Sequence, residues 1–325
     1  MPFPRRQLLR LTAGAAVFPL AARSVRAQAY PARPVRVVVP VAAGGLNDVS
    51  ARLITQWLSE HLGQQFFVEN RPGAGTNLGT ETVLRAAPDG YTLLIAGSNA
   101  AINATVFANL PFNFIRDTVP IASIDRVPQL MQVNPSVPAK TVPEFIAYAK
   151  ANPGKIAMGS GGIGSPAHVV GEYFKLMTGT ELTHVPYRGN AAAYADLLSG
   201  NIQLIFADVA SGLPHAQSGA LRALGVTAPA RLATLPDIPA IAETVPGYEA
   251  NGWYGFAAPK NTPADVIAKL NAAINAGLAD PELAARFGQL EAKPLVFTPQ
   301  DYGAFLVSET ERWGKAVKAS GVRGD

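Results

Sequence analysis

VRVVVPVAAGGLNDVSARLITQWLSEHLG, residues 35–63, holds one complete strand–loop–helix unit. VRVVVP (35–40) is short and β-branched, as a buried strand should be. A glycine loop follows. Val49, Leu53, Ile54, Trp57, Leu58 and Leu62 then recur at the spacing of an amphipathic helix. Gly63 stands where a C-terminal cap belongs. The pattern continues with FFVEN (66–70) as a strand and TNLGTETVLRAA (76–87) as a helix. YTLLIAG (91–97) is a third strand, entered through the Asp89-Gly90 turn. Such alternation predicts an α/β fold with parallel strands and right-handed crossovers.

A second block repeats the alternation. VPQLMQVNP (127–135) reads as a strand leaving the first unit, and a helix follows with Thr141 as its cap and Pro143 in its first turn. Then come the strand KIAMG, a glycine loop, a helix over 166–178 closed by Gly179, and the strand LTHVPY. A helix over 191–199 closed by Gly200 and the strands IQLIFAD and LRALGVT complete the block. NGWYGFAAP (251–259) reads as a crossing back, ahead of two long terminal helices, the first capped by Thr262 and Pro263. The expected organisation is an export signal over 1–29, a discontinuous first domain over 30–126 plus 251–325, and a second domain over 127–250. Each domain is expected to be a mostly parallel sheet flanked by helices, with two crossings between them.

The segment 1–29 has a basic start (MPFPRRQLLR), a short apolar core and an Ala27-Gln28-Ala29 cleavage pattern, the layout of an export signal. Arg5-Arg6 ahead of Leu8-Leu9 also fits the twin-arginine pattern, with an ordinary Sec signal as the alternative. Either route makes the protein periplasmic. The segment carries five arginines and no acid; of the 27 Lys+Arg and 23 Asp+Glu in the chain, 22 bases and 23 acids remain beyond it. The basic pI therefore belongs to the leader, and a nucleic-acid partner loses its electrostatic basis. There is no cysteine, which removes disulfides, thiolate nucleophiles and a lipid anchor. No run beyond the leader is long enough to span a membrane.

MGSGGIGSPAH (158–168) contains G-x-G-x-x-G at Gly159, Gly161 and Gly164. A dinucleotide fold would start its helix inside that fingerprint. Here Ser165 and Pro166, a cap and a first-turn proline, place the helix start after all three glycines. The acid expected about 20 positions on would be Glu181, which precedes the next strand rather than ending it. The loop retains another use: close backbone approach and a helix N-terminus suit an anion. Three sister loops recur at strand ends, VAAGGLND (41–48), GSNAA (97–101) and YRGN (187–190), two in each block. Open α/β sheets place ligands at that edge, so the four loops predict an anion cradle in an interdomain cleft.

YPARPVRVVVPVAAGGLNDVSARL, ENRPGAGTNLGTETVLRAAPDGYTLL, VPYRGNAAAYADLLSGNIQLIF and LPDIPAIAETVPGYEANGWYGFAAPKNTP resemble, in order along the chain, the Bug-type extracytoplasmic solute receptors of the tripartite tricarboxylate transporter family. The resemblance implies a two-domain periplasmic-binding-protein (type II) architecture that closes over a small carboxylate and hands it to a membrane permease. It implies no cofactor, and a monomer is expected. The family's first loop usually carries Phe-Pro before its two glycines. Val41-Ala42-Ala43 stand there in this chain, while Gly44, Gly45 and Asp48 match. By motif matching, the ligand-binding candidates are Gly44, Gly45, Asn47, Asp48, Ser98 and Asn99 in the first domain. In the second they are Ser160, Gly162, Gly164, Ser165, His168, Tyr187, Gly189 and Asp208. Asp48 is open as a helix cap, a buried structural acceptor or a contact. His168 either satisfies backbone groups or meets ligand, and Tyr187 is pocket wall or donor. Asp208 either caps the next helix or selects an ammonium or hydroxyl group. Arg188 is either solvated or pairs a second carboxylate. The competing functions are an exported sensor using the same pocket and an exported α/β enzyme. Against the enzyme, G-x-S-x-G and H-E-x-x-H are absent and the four histidines lack metal-ligand spacing.

Overall fold

The computed structural model describes residues 30–324, so the expected export segment lies outside the described residues. In chain order the elements are β1 (Val35–Val39), α1 (Leu46–Leu62), β2 (Phe66–Asn70), α2 (Asn77–Leu84), β3 (Thr92–Gly97), α3 (Ser98–Val106), α4 (Phe114–Asp117), β4 (Thr118–Val127) and β5 (Gln129–Val133). Then follow α5 (Val142–Ala151), β6 (Ile156–Ser160), α6 (Pro166–Thr178), β7 (Leu182–Pro186), α7 (Asn190–Ser199), β8 (Leu204–Asp208), α8 (Val209–Gln217) and β9 (Arg222–Val226). The chain ends with β10 (Gly252–Pro259), α9 (Ala264–Leu278), α10 (Pro281–Gln289), β11 (Lys293–Pro294) and α11 (Pro299–Ser320).

Two sheets result, ordered β2-β1-β3-β10-β4-β11 and β7-β6-β8-β5-β9. Each block sets its first strand between its second and third, joined in parallel through crossover helices. The next position is taken by the strand arriving from the other domain: β10 in the first sheet, β5 in the second. Each runs antiparallel to both neighbours. The reason is connectivity. Only Pro128 separates β4 from β5, so β5 enters the second sheet at the edge facing the one where β4 leaves the first. The incoming strand enters at the edge where the other strands end and must run against them. The sheets are therefore mixed, and their expected parallel character survives in the remaining strands apart from the two-residue β11.

Val35, Val37, Val38 and Val39 are all fully buried, as the apolar run required. One core lies under α1 and α9, around Leu53, Ile54, Leu58, Leu270 and Ile274. A second runs continuously from Leu94 and Ile102 of the first domain through Tyr302, Leu306 and Trp313 of α11 to Phe145 and Phe174 of the second. Helix α11 thus packs on both domains. Its Glu309 Oε2 accepts from the indole N–H of Trp253 (2.9 Å) and of Trp313 (3.0 Å), and from Arg312 (2.9 Å). Arg126 at the end of β4 pairs with Glu249 at 3.0 Å, just ahead of β10, tying the two crossings together.

Local expectations differ at three helix starts. Asn47 and Asp48 do not cap α1; Gly45 holds the cap position and they lie in the first turn. The stretch 97–101 is not a loop, because β3 runs directly into α3 at Ser98. Thr262 does not cap α9 either. Its hydroxyl donates to the Pro259 carbonyl at 2.7 Å, and Pro263 stands at the cap.

Candidate functional site

Six helices follow the carboxyl ends of the parallel strands: α1, α2, α3, α6, α7 and α8. Only α6 has a side-chain cap, Ser165 Oγ accepting from the His168 N–H at 3.3 Å. The caps of the other five, Gly45, Thr76, Gly97, Gly189 and Asp208, make no side-chain hydrogen bond to their helix. Among the helices that start elsewhere, α4, α5, α10 and α11 are capped by Asn113, Thr141, Asp280 and Thr298. Uncapped N–H groups and the positive ends of helix dipoles therefore gather at one edge of both sheets, which favours negative charge there.

In the first domain, Gly44 and Gly45 are exposed at the tip of the loop after β1, while Asn47 and Asp48 are buried. Asp48 accepts from the Gly44 N–H (2.9 Å), Arg52 Nε (3.0 Å) and Asn70 Nδ2 (2.9 Å). Burial alone would raise its pKa, but these bonds outweigh it and hold the carboxyl below its usual value. Asp48 thus accepts three hydrogen bonds that shape the loop. Asn47 Oδ1 and Ser98 Oγ are buried without hydrogen-bond partners, and Asn99 is half-buried beside Ser98.

In the second domain the two loops pack on each other. A Cβ on Gly161 would lie 2.8 Å from Asn190 Oδ1, and one on Gly162 would lie 3.2 Å from the Tyr187 carbonyl. Gly162, Gly164 and Gly189 have φ of 124°, 74° and 106°, a region that side chains disfavour. Ser160 and His168 sit beneath this layer, both buried. Ser160 Oγ accepts from the Gly162 N–H (3.1 Å) and lies 2.6 Å from His184 Nε2; His168 Nδ1 accepts from the Gly164 N–H at 3.1 Å. The two imidazoles stack at 3.6 Å. Burial, then the neighbouring His184 and Lys175 charges, lowers His168 to about 3. Burial and then Lys175 lowers His184 to about 4. Both rings are neutral supports of the glycine loop. The Tyr187 hydroxyl donates to Asp196 at 2.6 Å, so its donor is already used, and Arg188 is exposed.

The loops of the two domains meet. A Cβ on Gly164 would lie 2.9 Å from Asn103 Oδ1 of α3, a buried atom without a partner. Asn103 is itself pinned, its Nδ2 donating to the Gly75 carbonyl, Thr76 Oγ1 and Asn77 Oδ1. Sequence reading missed Asn103, and it also missed Asp125, Gln129 and Asn251, whose Oδ1, Oε1 and Oδ1 atoms are buried and unpartnered near the crossings. An acid inside the apolar run IASIDRV was the available signal for Asp125. The cavity of about 500 Å³ lined by Leu213, Arg222 and Asp237 lies on the far side of the second domain, and no site residue lines it. Among the described residues no group of three or more His, Cys, Asp and Glu is placed to hold a metal.

Two domains joined by antiparallel crossings, with helix N-termini gathered where they meet, define the solute-binding receptor class. Residues 50–322 match the family described as tripartite tricarboxylate transporter family receptor, and the chain belongs to that family. It is 35% identical over 305 residues to Protein BugT of Bordetella pertussis, covering 93% of this chain and 94% of that protein. The solved structure of R. palustris Rpa4515 with adipate matches with a TM-score of 0.84 at 36% identity, over 90% of this chain and 98% of that one. MatC from Rhodopseudomonas palustris with bound malate matches at 0.80 and 30%, over 89% and 100%.

Proposed function

We propose that this chain is a periplasmic receptor that closes two domains, 30–126 with 251–325 and 127–250, over a small carboxylate-bearing solute. The observation that carries the reading is the gathering of the uncapped starts of α1, α3, α7 and α8 and the positive-φ glycines Gly44, Gly162, Gly164 and Gly189 at one edge of both sheets. Backbone N–H groups there bind a carboxylate without an arginine. Gly44, Gly45, Asn47, Ser98 and Asn99 face it from one domain; Gly162, Gly164, Ser165 and Gly189 face it from the other, and Asp208 meets a different, donor group of the solute. Asp48, Ser160, His168 and Tyr187 hold the loops from behind. Adipate and malate in the related structures support the ligand class. The receptor acts as a monomer, reaches the periplasm by the twin-arginine or the Sec route, and passes its ligand to a tripartite-type permease. Ligand stabilises the closed state by its greater affinity for it.

The test is thermal unfolding of the chain against mono-, di- and tricarboxylates, amino acids and aromatic acids. A ligand at 100 times its Kd adds about 2.7 kcal/mol to stability. A flat melting temperature across every acid rejects the reading.

A further inference from the structure

At the crossings between the domains three side-chain acceptors gather: Asp208, Asp125 and Gln129. Asp208 closes β8 opposite Gln129, its register partner on β5. It is half-buried, and no described residue hydrogen-bonds its carboxylate. Asp125 lies on β4 opposite Tyr254 of β10 and is fully buried. Ser50 of α1 donates to its Oδ2 at 2.7 Å and the Tyr254 backbone N–H also lies against the carboxyl, while Oδ1 has no close hydrogen-bond partner. Gln129, the register partner of Asp208, begins β5 just past Pro128 and the end of β4 that carries Asp125, so the two acids share the crossing, and the Asp208 charge is felt at Asp125. Gln129 Oε1 adds a third unsatisfied acceptor, on a side chain only 1% exposed.

The groups facing these acids are neutral. They are the Ser50 hydroxyl and the phenols of Tyr254, Tyr194 and Tyr302, all three held protonated first by burial. The nearest base on the crossing strands, Arg126, is committed to Glu249. Unpaired buried carboxylates are costly, and a second anionic group placed here would add repulsion. A cationic donor satisfies them with charge-assisted bonds.

The geometry points to an ammonium subsite: the solute is an amino-carboxylate, its carboxylate on the uncapped helix starts and its ammonium held by Asp208 and Asp125. This rests on the receptor reading above and narrows its ligand class. Burial raises Asp208 to about 6 and, with the Asp208 charge, Asp125 to about 7. An ammonium between them favours their ionised forms.

The experiment is calorimetric titration of the full chain at pH 7.5 with acids of equal carbon number. The sets are propionate, lactate and alanine; succinate, malate and aspartate; and glutarate, 2-hydroxyglutarate and glutamate. In the set that fits the cleft, the amino member binds about tenfold or more tighter than the unsubstituted one. In Asp208→Asn that ratio falls to about one, as an uncharged acceptor no longer favours the cation. If the variant fails to fold, wild type titrated at pH 7.5 and 5 gives the same readout. The ratio falls as Asp208 protonates through about 6. An unsubstituted or hydroxy acid binding as tightly as its amino counterpart overturns the ammonium subsite and leaves the receptor reading standing. So does a ratio that survives both Asp208→Asn and low pH. Failure of every acid in every set overturns both.

Discussion

Gly164→Val separates two costs that the structure locates in different places. The first is local: at φ 74° a side chain in left-handed backbone costs on the order of 1–2 kcal/mol, and a β-branched one more. That strain exists whether or not the domains touch, so it lowers folding stability. The second belongs to the contact between the domains. The new Cβ lies 2.9 Å from Asn103 Oδ1 and 3.9 Å from both Phe107 Cε2 and Val106 Cγ1, all on the opposite domain. Asn103 has little room to yield, because three bonds from Nδ2 hold it to residues 75–77. Forced contact of this kind costs about 1–3 kcal/mol, and it is relieved only by withdrawing the loop from α3. At 1.4 kcal/mol per tenfold, carboxylate affinity falls by about ten- to a hundredfold. The assay is calorimetric affinity for the best acid alongside thermal unfolding. In a double-mutant cycle, Asn103→Ala restores part of the affinity of Gly164→Val but not its stability. Wild-type affinity in a folded Gly164→Val protein refutes the reasoning and removes the loop from the site.

Two further predictions concern the supports of the site and the hinge. His184 is held near 4 by burial, so between its ordinary value and 4 the unfolded chain binds the extra proton and the native chain does not. Its contribution to stability is therefore present above about 6.5 and lost as pH falls through that window. Between pH 7 and 5, His184→Phe loses about 2 kcal/mol less than wild type in urea unfolding; parallel losses contradict the assigned burial of the ring. Glu309→Ala strips the shared acceptor from Trp253, Trp313 and Arg312. Orphaning buried donors costs about 1–3 kcal/mol each. A destabilisation below about 1 kcal/mol, with near-ultraviolet dichroism unchanged, is incompatible with that network.

What the sequence disclosed was what local chemistry encodes. Ser165-Pro166 and Gly179 mark both ends of α6, and the structure closes that helix at the same residues. The valines of β1 announced a strand buried on both faces. Periodicity also ranked the loops correctly as strand-end features, though GSNAA proved to be a helix start, since Ser98 begins α3 with no turn residue before it. What stayed hidden depends on pairings far apart in the chain. Pro120, Asp125 and Arg126 disguised β4, which is a strand because β10, more than a hundred residues later, pairs along its length. For His168 the sequence left backbone support and ligand contact open, and only folding sets it under the loop, stacked on His184 from another strand. Asp125 was visible as an acid in an apolar run, but its meaning comes from Ser50, 75 residues away, and from Asp208 at the end of a strand in the other sheet. Asp125, fully buried, and Asp208, half-buried, have no cationic partner among the described side chains, and burial of that kind costs stability in the free protein. Under the ammonium proposal that cost is offset when a positively charged donor binds.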